Sequence, residues 1–467
     1  MRNAQAWCRH GIVALLFLII LGCGARTGST VNANGPVEQQ LAAGIAVASF
    51  DSLWSIVNRT YVDTAFVARR WGPVRDSLRP RAERIRTKGE LDDLLRATLT
   101  RIPESHFYIL PSTLTAAEED AHETESSGGG TTGIAVRFAG GQVVVWQVQD
   151  GSPADSAGVN PGDIIESIGD RVAATSLTEL AQLPASSRQR ARSDLLRRLN
   201  GALSPESGRR VKLRSKSAAN SSVDERVIVA VPLKGTVSKF GNLPPITGIV
   251  RVSHSVPRED SGDRGCVGVI AFNIWLPALA PELENAVTST ADCVGIVIDL
   301  RGNPGGVGGM VMGFGGYFVA TPLSLGTMEM RDMSLKFAIN PRRRTRMDGG
   351  QSGPFSGPVA ILVDPLTGST SEIFAAGMQR IGRATVFGEP SAGAALPAIA
   401  DTLPSGDVFV HAIADFRDPH GKRIEGVGVI PDHVIPLDTA DLKRAVDAPL
   451  EAALRWIRSK ARAVRSN

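Results

Sequence analysis

A chain of 467 residues has room for roughly two to four domains. Hydrophobic residues make up 43% and charged residues 21%, the balance of an ordinary globular protein rather than a disordered one. A net charge of +4 spread along the chain and 5% aromatic content argue against a nucleic-acid-binding surface. The one dense basic run, Arg342, Arg343, Arg344 and Arg346, reads as a solvated loop.

The first elements are targeting signals. Arg2, Arg9 and His10 precede an apolar run from Ile12 to Leu21, too short to span a bilayer comfortably. The run ends Leu21-Gly22-Cys23, which resembles a bacterial lipobox, and Cys23 is the expected lipidation site. Residues 1–23 therefore read as a lipoprotein signal peptide ending in that cysteine, and 24–38 as a small, polar linker. An ordinary signal peptide with an incidental Cys23 is the other reading. The expected location is the cell envelope, lipid-anchored and facing the periplasm.

Residues 39–125 have a helical pattern. Phe50, Leu53, Trp54 and Val57 recur on one face, as do Leu91, Leu94, Leu95 and Leu99. Ser126 to Gly130 marks a boundary, and residues 131–234 change to a β-rich period with Val143, Val144, Val145 and Val148. The stretch from Gly151-Ser152-Pro153-Ala154 to Pro161-Gly162-Asp163-Ile164-Ile165 resembles the PDZ family. By that resemblance Gly133, Ile134, Ala135 and Val136 are the loop that receives a peptide's C-terminal carboxylate. A PDZ fold acting only as a spacer is the alternative.

From 245 to 460 strands alternate with helices. Cys266 and Cys293 each precede a similar apolar strand. If those strands are parallel neighbours at the same register, the cysteines sit side by side and can form a disulfide; two buried free thiols are the alternative.

Two segments carry chemistry. Asp299-Leu300-Arg301-Gly302-Asn303-Pro304-Gly305-Gly306 follows a buried strand but lacks the Gly-Lys-Ser/Thr ending of a phosphate loop, which leaves an oxyanion hole as the other reading. In Thr367-Gly368-Ser369-Thr370-Ser371-Glu372-Ile373, Ser371 opens a helix, either as a cap or as a nucleophile aided by the helix dipole. Together they resemble the C-terminal-processing (tail-specific) and tricorn-like serine peptidase family. The resemblance implies a multidomain α/β fold: a helical N-terminal domain, a β-rich PDZ domain and a crotonase-like ααβ catalytic core. It implies Ser371 as nucleophile, with an oxyanion hole from the N–H of Glu372 and that of Gly305 or Gly306.

One branch of the family uses a lysine base, but Glu389 stands in the lysine's place here. The tricorn-like branch implies His106 as general base, with Ser105 and Glu425 orienting it. His122, His254, His411, His420 and His433 are the competing histidines, and no histidine pair has metal-ligand spacing, so neither metal nor cofactor is expected. The expected function is an envelope serine endopeptidase whose PDZ domain binds substrate C-termini. The alternatives are an inactive peptide-binding scaffold and crotonase-like acyl-coenzyme A chemistry.

Overall fold

A computed structural model describes residues 39–112, 129–256, 265–345 and 349–466. Cys23, the signal and linker segments, His122 and Arg346 lie outside the described residues. No helix among the described residues is long and apolar enough to cross a membrane.

The helix Ile45–Thr60 buries Phe50, Leu53, Ile56 and Val57 on one face. A second, Lys88–Leu99, starts at a capping box between Thr87 and Glu90 and buries Leu91, Leu94, Leu95 and Leu99. Their shared core takes in Leu403 and Phe409 from far along the chain. The short strand Tyr108–Leu110, just after His106, pairs antiparallel with Val408–Ala412. The helices therefore hold the His106 segment against the C-terminal half of the molecule.

The β-rich part is an antiparallel sheet running, in spatial order, Ile134–Ala139, Gln142–Val148, Ile164–Ile168, Arg210–Lys216, Val223–Val229. The helix Ala185–Ala202 packs along its first edge strand.

The largest sheet of the C-terminal half orders its strands Val250–Ser255, Val267–Phe272, Gly295–Asp299, Val359–Val363, Ala384–Gly388, His433–Val434. From Val267–Phe272 onward every neighbouring pair is parallel. Strands buried on both faces explain the continuous runs Ile296-Val297-Ile298 and Val359 to Val363. One face packs against a large aromatic and aliphatic core that includes Trp275, Phe314 and Phe374. The other is covered by the C-terminal helix through Ala453, Leu454 and Ile457. A Cβ on Gly295 would lie 2.1 Å from Ile457, so only glycine lets that helix dock.

Cys266 and Cys293 are joined by a disulfide with a Cα–Cα distance of 4.7 Å. The register differs from the side-by-side arrangement expected. Val267 lies opposite Gly295, and Val294 N–H donates to Cys266 C=O at 2.8 Å. This one-residue stagger makes the pair diagonal, so the two Cβ atoms need not project in parallel.

Candidate active site

Two loops leave the carboxyl ends of adjacent parallel strands, where Asp299 is level with Leu362. This is where open α/β sheets place ligands. Leu300 to Gly306 forms one loop, and Asp364 to Ser369 forms a sharp turn into the helix Thr370–Arg380.

Ser369 sits at φ 53°, ψ −121°, in the positive-φ region that side chains other than glycine rarely adopt. Such strain persists only where its surroundings enforce it. Here Ser369 N–H donates to Ala394 C=O at 2.8 Å and to Glu372 Oε2 at 3.0 Å. Glu372 is wholly buried and also accepts from Ser391 Oγ at 2.5 Å, Gly393 N at 2.7 Å and Ala394 N at 2.9 Å. Burial pushes its carboxyl up to about 7, against the pull of these donors. Gly305 presses on the turn from the other loop. A Cβ there would lie 2.7 Å from Ser369 Cβ and 2.9 Å from Thr370 N.

The expected nucleophile needs correction. Ser371 is 0% exposed, lies inside the helix, and its Oγ accepts the indole N–H of Trp275 at 2.9 Å. It faces the aromatic core. Ser369, two residues earlier, lines a cleft shared with Ser105, His106, Tyr108, Arg190, Arg197 and Ala394. Its Oγ is buried with no hydrogen-bond partner among the described residues. The expected oxyanion donors shift as well. Glu372 N–H donates to Ser369 C=O at 2.8 Å, and Gly305 N–H to Asn303 Oδ1 at 3.0 Å, so both are used inside the loops. Thr370, as the first residue of its helix, has no intrahelical acceptor for its N–H. Its hydroxyl bonds Gly306 C=O at 2.8 Å, which ties the two loops together.

Ser105, His106 and Glu425 come together from 320 residues apart. Glu425 Oε1 accepts Ser105 N–H at 2.8 Å, and Oε2 accepts Ser105 Oγ–H at 2.9 Å and Ala395 N–H at 2.8 Å. Ser105 Oγ is 2.7 Å from His106 Nδ1. The single hydroxyl hydrogen goes to the carboxylate, so Ser105 Oγ accepts from Nδ1–H. The lone pair of the neutral ring is then left on Nε2. His106 itself has φ 61° and is 8% exposed. Glu104 anchors the segment by accepting from Tyr61 Oη at 2.5 Å and Arg423 Nη2 at 2.6 Å. Burial, then the Arg197 and Arg190 guanidinium groups, push the His106 imidazole down to about 3.

None of His254, His411, His420 or His433 lines this cleft, and neither does Glu389. The corresponding wall is Ala392 and Ala394, which offer no basic side chain. Sequence reasoning missed Ser369, although a serine after a glycine at a sharp strand-to-helix turn is itself a nucleophile signal.

The expected peptide-binding strand is not an open edge. Val136 N–H donates to Asn200 Oδ1 at 3.0 Å, and Asn200 Nδ2 donates to Val136 C=O at 3.1 Å. Gly133 C=O already accepts from Gln149 N–H at 2.8 Å. The Asn200 carboxamide occupies the edge groups that an added peptide strand would need.

Comparison with known proteins agrees with this architecture. Residues 266–435 match the model of peptidase family S41, and residues 144–198 match that of the PDZ domain. A carboxyl-terminal-processing protease from Synechocystis is 24% identical over 461 residues, covering 94% of this chain and 92% of that protein. A chloroplastic C-terminal processing peptidase from Tetradesmus obliquus is 24% identical, covering 85% of this chain and 80% of that protein. Among solved structures, the photosystem II D1 C-terminal processing protease shares the fold with a TM-score of 0.56 at 19% identity, over 89% of this chain and 98% of that one. The chain is therefore a serine protease whose residues 266–435 match peptidase family S41, with a PDZ domain ahead of that catalytic part.

Proposed function

We propose that the protein is a serine endopeptidase of the bacterial cell envelope in which Ser369 is the nucleophile and His106 the general base. The observation that carries this reading is that Ser369, on a strained turn, shares one cleft with His106. His106 Nε2 takes the Ser369 hydroxyl proton as Oγ attacks the scissile carbonyl carbon. The C–N bond then breaks, the amine leaves with the proton from Nε2, and water releases the acyl group by the same steps. Glu425, acting through Ser105, holds the Nδ1–H tautomer and stabilises the imidazolium that forms. Thr370 N–H, with Gly306 N–H from the facing loop, receives the developing oxyanion.

The domain limits that fit this reading are 39–125 for the helical part, 131–234 for the PDZ domain and 245–460 for a crotonase-like core. Cys23 carries the lipid, and the PDZ domain takes substrate C-termini once Asn200 is displaced. Fluorophosphonate labelling tests the assignment. Ser369→Ala should abolish labelling, and His106→Ala should slow it by roughly a hundredfold or more. Ser371→Ala should still label, although it strands the buried Trp275 N–H at a cost of about 1–3 kcal/mol. Labelling lost in Ser371→Ala and kept in Ser369→Ala would overturn the assignment. Membrane fractionation of Cys23→Ser tests the anchor: the variant should be released or fail to mature.

A further inference from the structure

The outer face of the PDZ sheet is covered at one end and exposed at the other. Val144 and Ile164, on its central strands, pack with Leu437 and Leu442 of the catalytic part. The strand Arg210–Lys216 behaves differently. Its Val211 and Leu213 enter the domain's core, so the alternating Arg210, Lys212, Arg214 and Lys216 share the outer face. The edge strand Val223–Val229 pairs antiparallel with it, placing Val229 opposite Arg210, Val227 opposite Lys212, Glu225 opposite Arg214 and Val223 opposite Lys216. Ile228 is the inward residue there, and Val223, Val227 and Val229 stay 45–50% exposed. Val172, also 50% exposed, adjoins from the other side, because Ser167 stands opposite both Val172 and Arg214. A ladder of four cations thus runs between exposed valines.

Two carboxylates enter this face. Glu225 pairs with Lys212 at 3.0 Å and Glu166 with Arg214 at 2.8 Å. All four side chains are at least a third exposed, so these pairs contribute little and exchange partners readily. Arg210 and Lys216 have no ion pair among the described residues. The cations outnumber the carboxylates two to one.

We propose that this face of the PDZ domain docks on an anionic phospholipid bilayer. Charge and form both fit that partner. Cations in a row on a flat sheet meet a plane of lipid phosphates, and the valines beside them enter the boundary between headgroups and acyl chains. An acidic protein or a free phosphate would satisfy the ladder but leave the valines in water. The inference goes beyond the catalytic reading and rests only on the envelope location. It also sets an orientation. In the sheet order the strand Ile134–Ala139 is the opposite edge from Val223–Val229, so docking keeps that edge and Asn200 away from the bilayer.

The test uses the mature chain from Gly24, which has no acyl anchor and holds every described residue. Co-sedimentation compares vesicles of phosphatidylglycerol and phosphatidylcholine in equal parts with vesicles of phosphatidylcholine alone. The protein should bind the first and not the second, and binding should weaken from about 0.1 to about 0.5 M NaCl as screening shortens. Lys212→Glu with Arg214→Glu should lower the vesicle affinity by roughly tenfold or more. Arg69→Glu with Arg70→Glu, the same charge change on an exposed helical segment, should have little effect. Val227→Ser with Val229→Ser should weaken binding at both salt levels, which charge attraction alone would not produce. Fluorophosphonate labelling shows that each variant is folded. Absent binding, equal binding to both vesicles, or an equal loss in the Arg69 and Arg70 variant would overturn the proposal. So would displacement of vesicles by inorganic phosphate at matched ionic strength, or retention on polyglutamate without vesicle binding. Fractionation of the acylated wild type tests the envelope location separately; its failure would remove the bilayer as partner, whereas failure with vesicles alone leaves the location standing.

Discussion

Arg137 Nε donates to Asp364 Oδ2 at 2.5 Å across the boundary between the PDZ part and the catalytic part, with both side chains nearly inaccessible, at 4% and 6% exposed. Asp364 Oδ1 accepts in addition from Gly302 N, Leu366 N and Thr367 N, the backbone of both catalytic loops. Arg137 lies on the strand Ile134–Ala139, one residue beyond the Val136 edge groups. One carboxylate therefore shapes the turn that presents Ser369 and fastens the PDZ domain to it.

Removing one partner of this pair should be severe. Arg137→Ala leaves a buried carboxylate without its cation, a change on the scale of about 3–5 kcal/mol. Chemical denaturation should show a loss of that order. The kcat should fall with it, since the Ser369 turn loses a support. Arg137→Met, which fills the space without the charge, should not rescue either quantity while Asp364 remains.

The pH dependence should depart from that of an ordinary histidine enzyme. With His106 held down to about 3 in the free enzyme, the base is neutral at pH 5 and above. The acid limb of kcat/KM, which reports the free enzyme, should fall below pH 5 rather than near the usual 6.5. Stability follows the same sign. The unfolded chain protonates this histidine below about 6.5 while the fold resists it, so its contribution is lost as pH falls from there toward 3. Rate profiles and denaturation at pH 4 to 8 check both statements, and His106→Gln should reduce the slope of stability against pH in that window.

Asn200 competes with any peptide for the Val136 edge. Asn200→Ala frees the Val136 N–H for strand addition, while Val136 C=O keeps the bond from Arg137 Nη1 at 2.9 Å. At about 0.5–1.5 kcal/mol for that one hydrogen bond, peptide affinity should rise roughly two- to tenfold. Fluorescence polarisation with a labelled C-terminal peptide measures this. Unchanged affinity would mean that Asn200 packs the helix against the strand without guarding it.

The disulfide should stabilise without taking part in catalysis. It closes a loop of 27 positions, worth about 3–4 kcal/mol on the chain-entropy account. Cys266→Ala with Cys293→Ala should lower the denaturation midpoint accordingly. Fluorophosphonate labelling under native conditions should persist, because the bridge joins the starts of two parallel strands, at the opposite end of the sheet from the two loops.

Sequence alone determined the parts whose signal is local or long. Buried parallel strands announce themselves as unbroken apolar runs, the N-terminal helices by apolar residues recurring on one face, and the PDZ segment by glycines and prolines at turns. Ser105, His106 and Glu425 were legible through the motifs around them, and the structure brings them within hydrogen-bond distance. Tertiary structure decided what depends on a single residue of phase. Whether Ser369 or Ser371 faces the cleft turns on one positive-φ position enforced by Glu372, three residues on, and by Gly305 and the Ala394 carbonyl from elsewhere in the fold. The stagger of Val267 against Gly295 and the Asn200 cap on Val136 arise the same way. Packing between distant segments sets backbone phase to within a residue, a resolution that apolar periodicity does not reach.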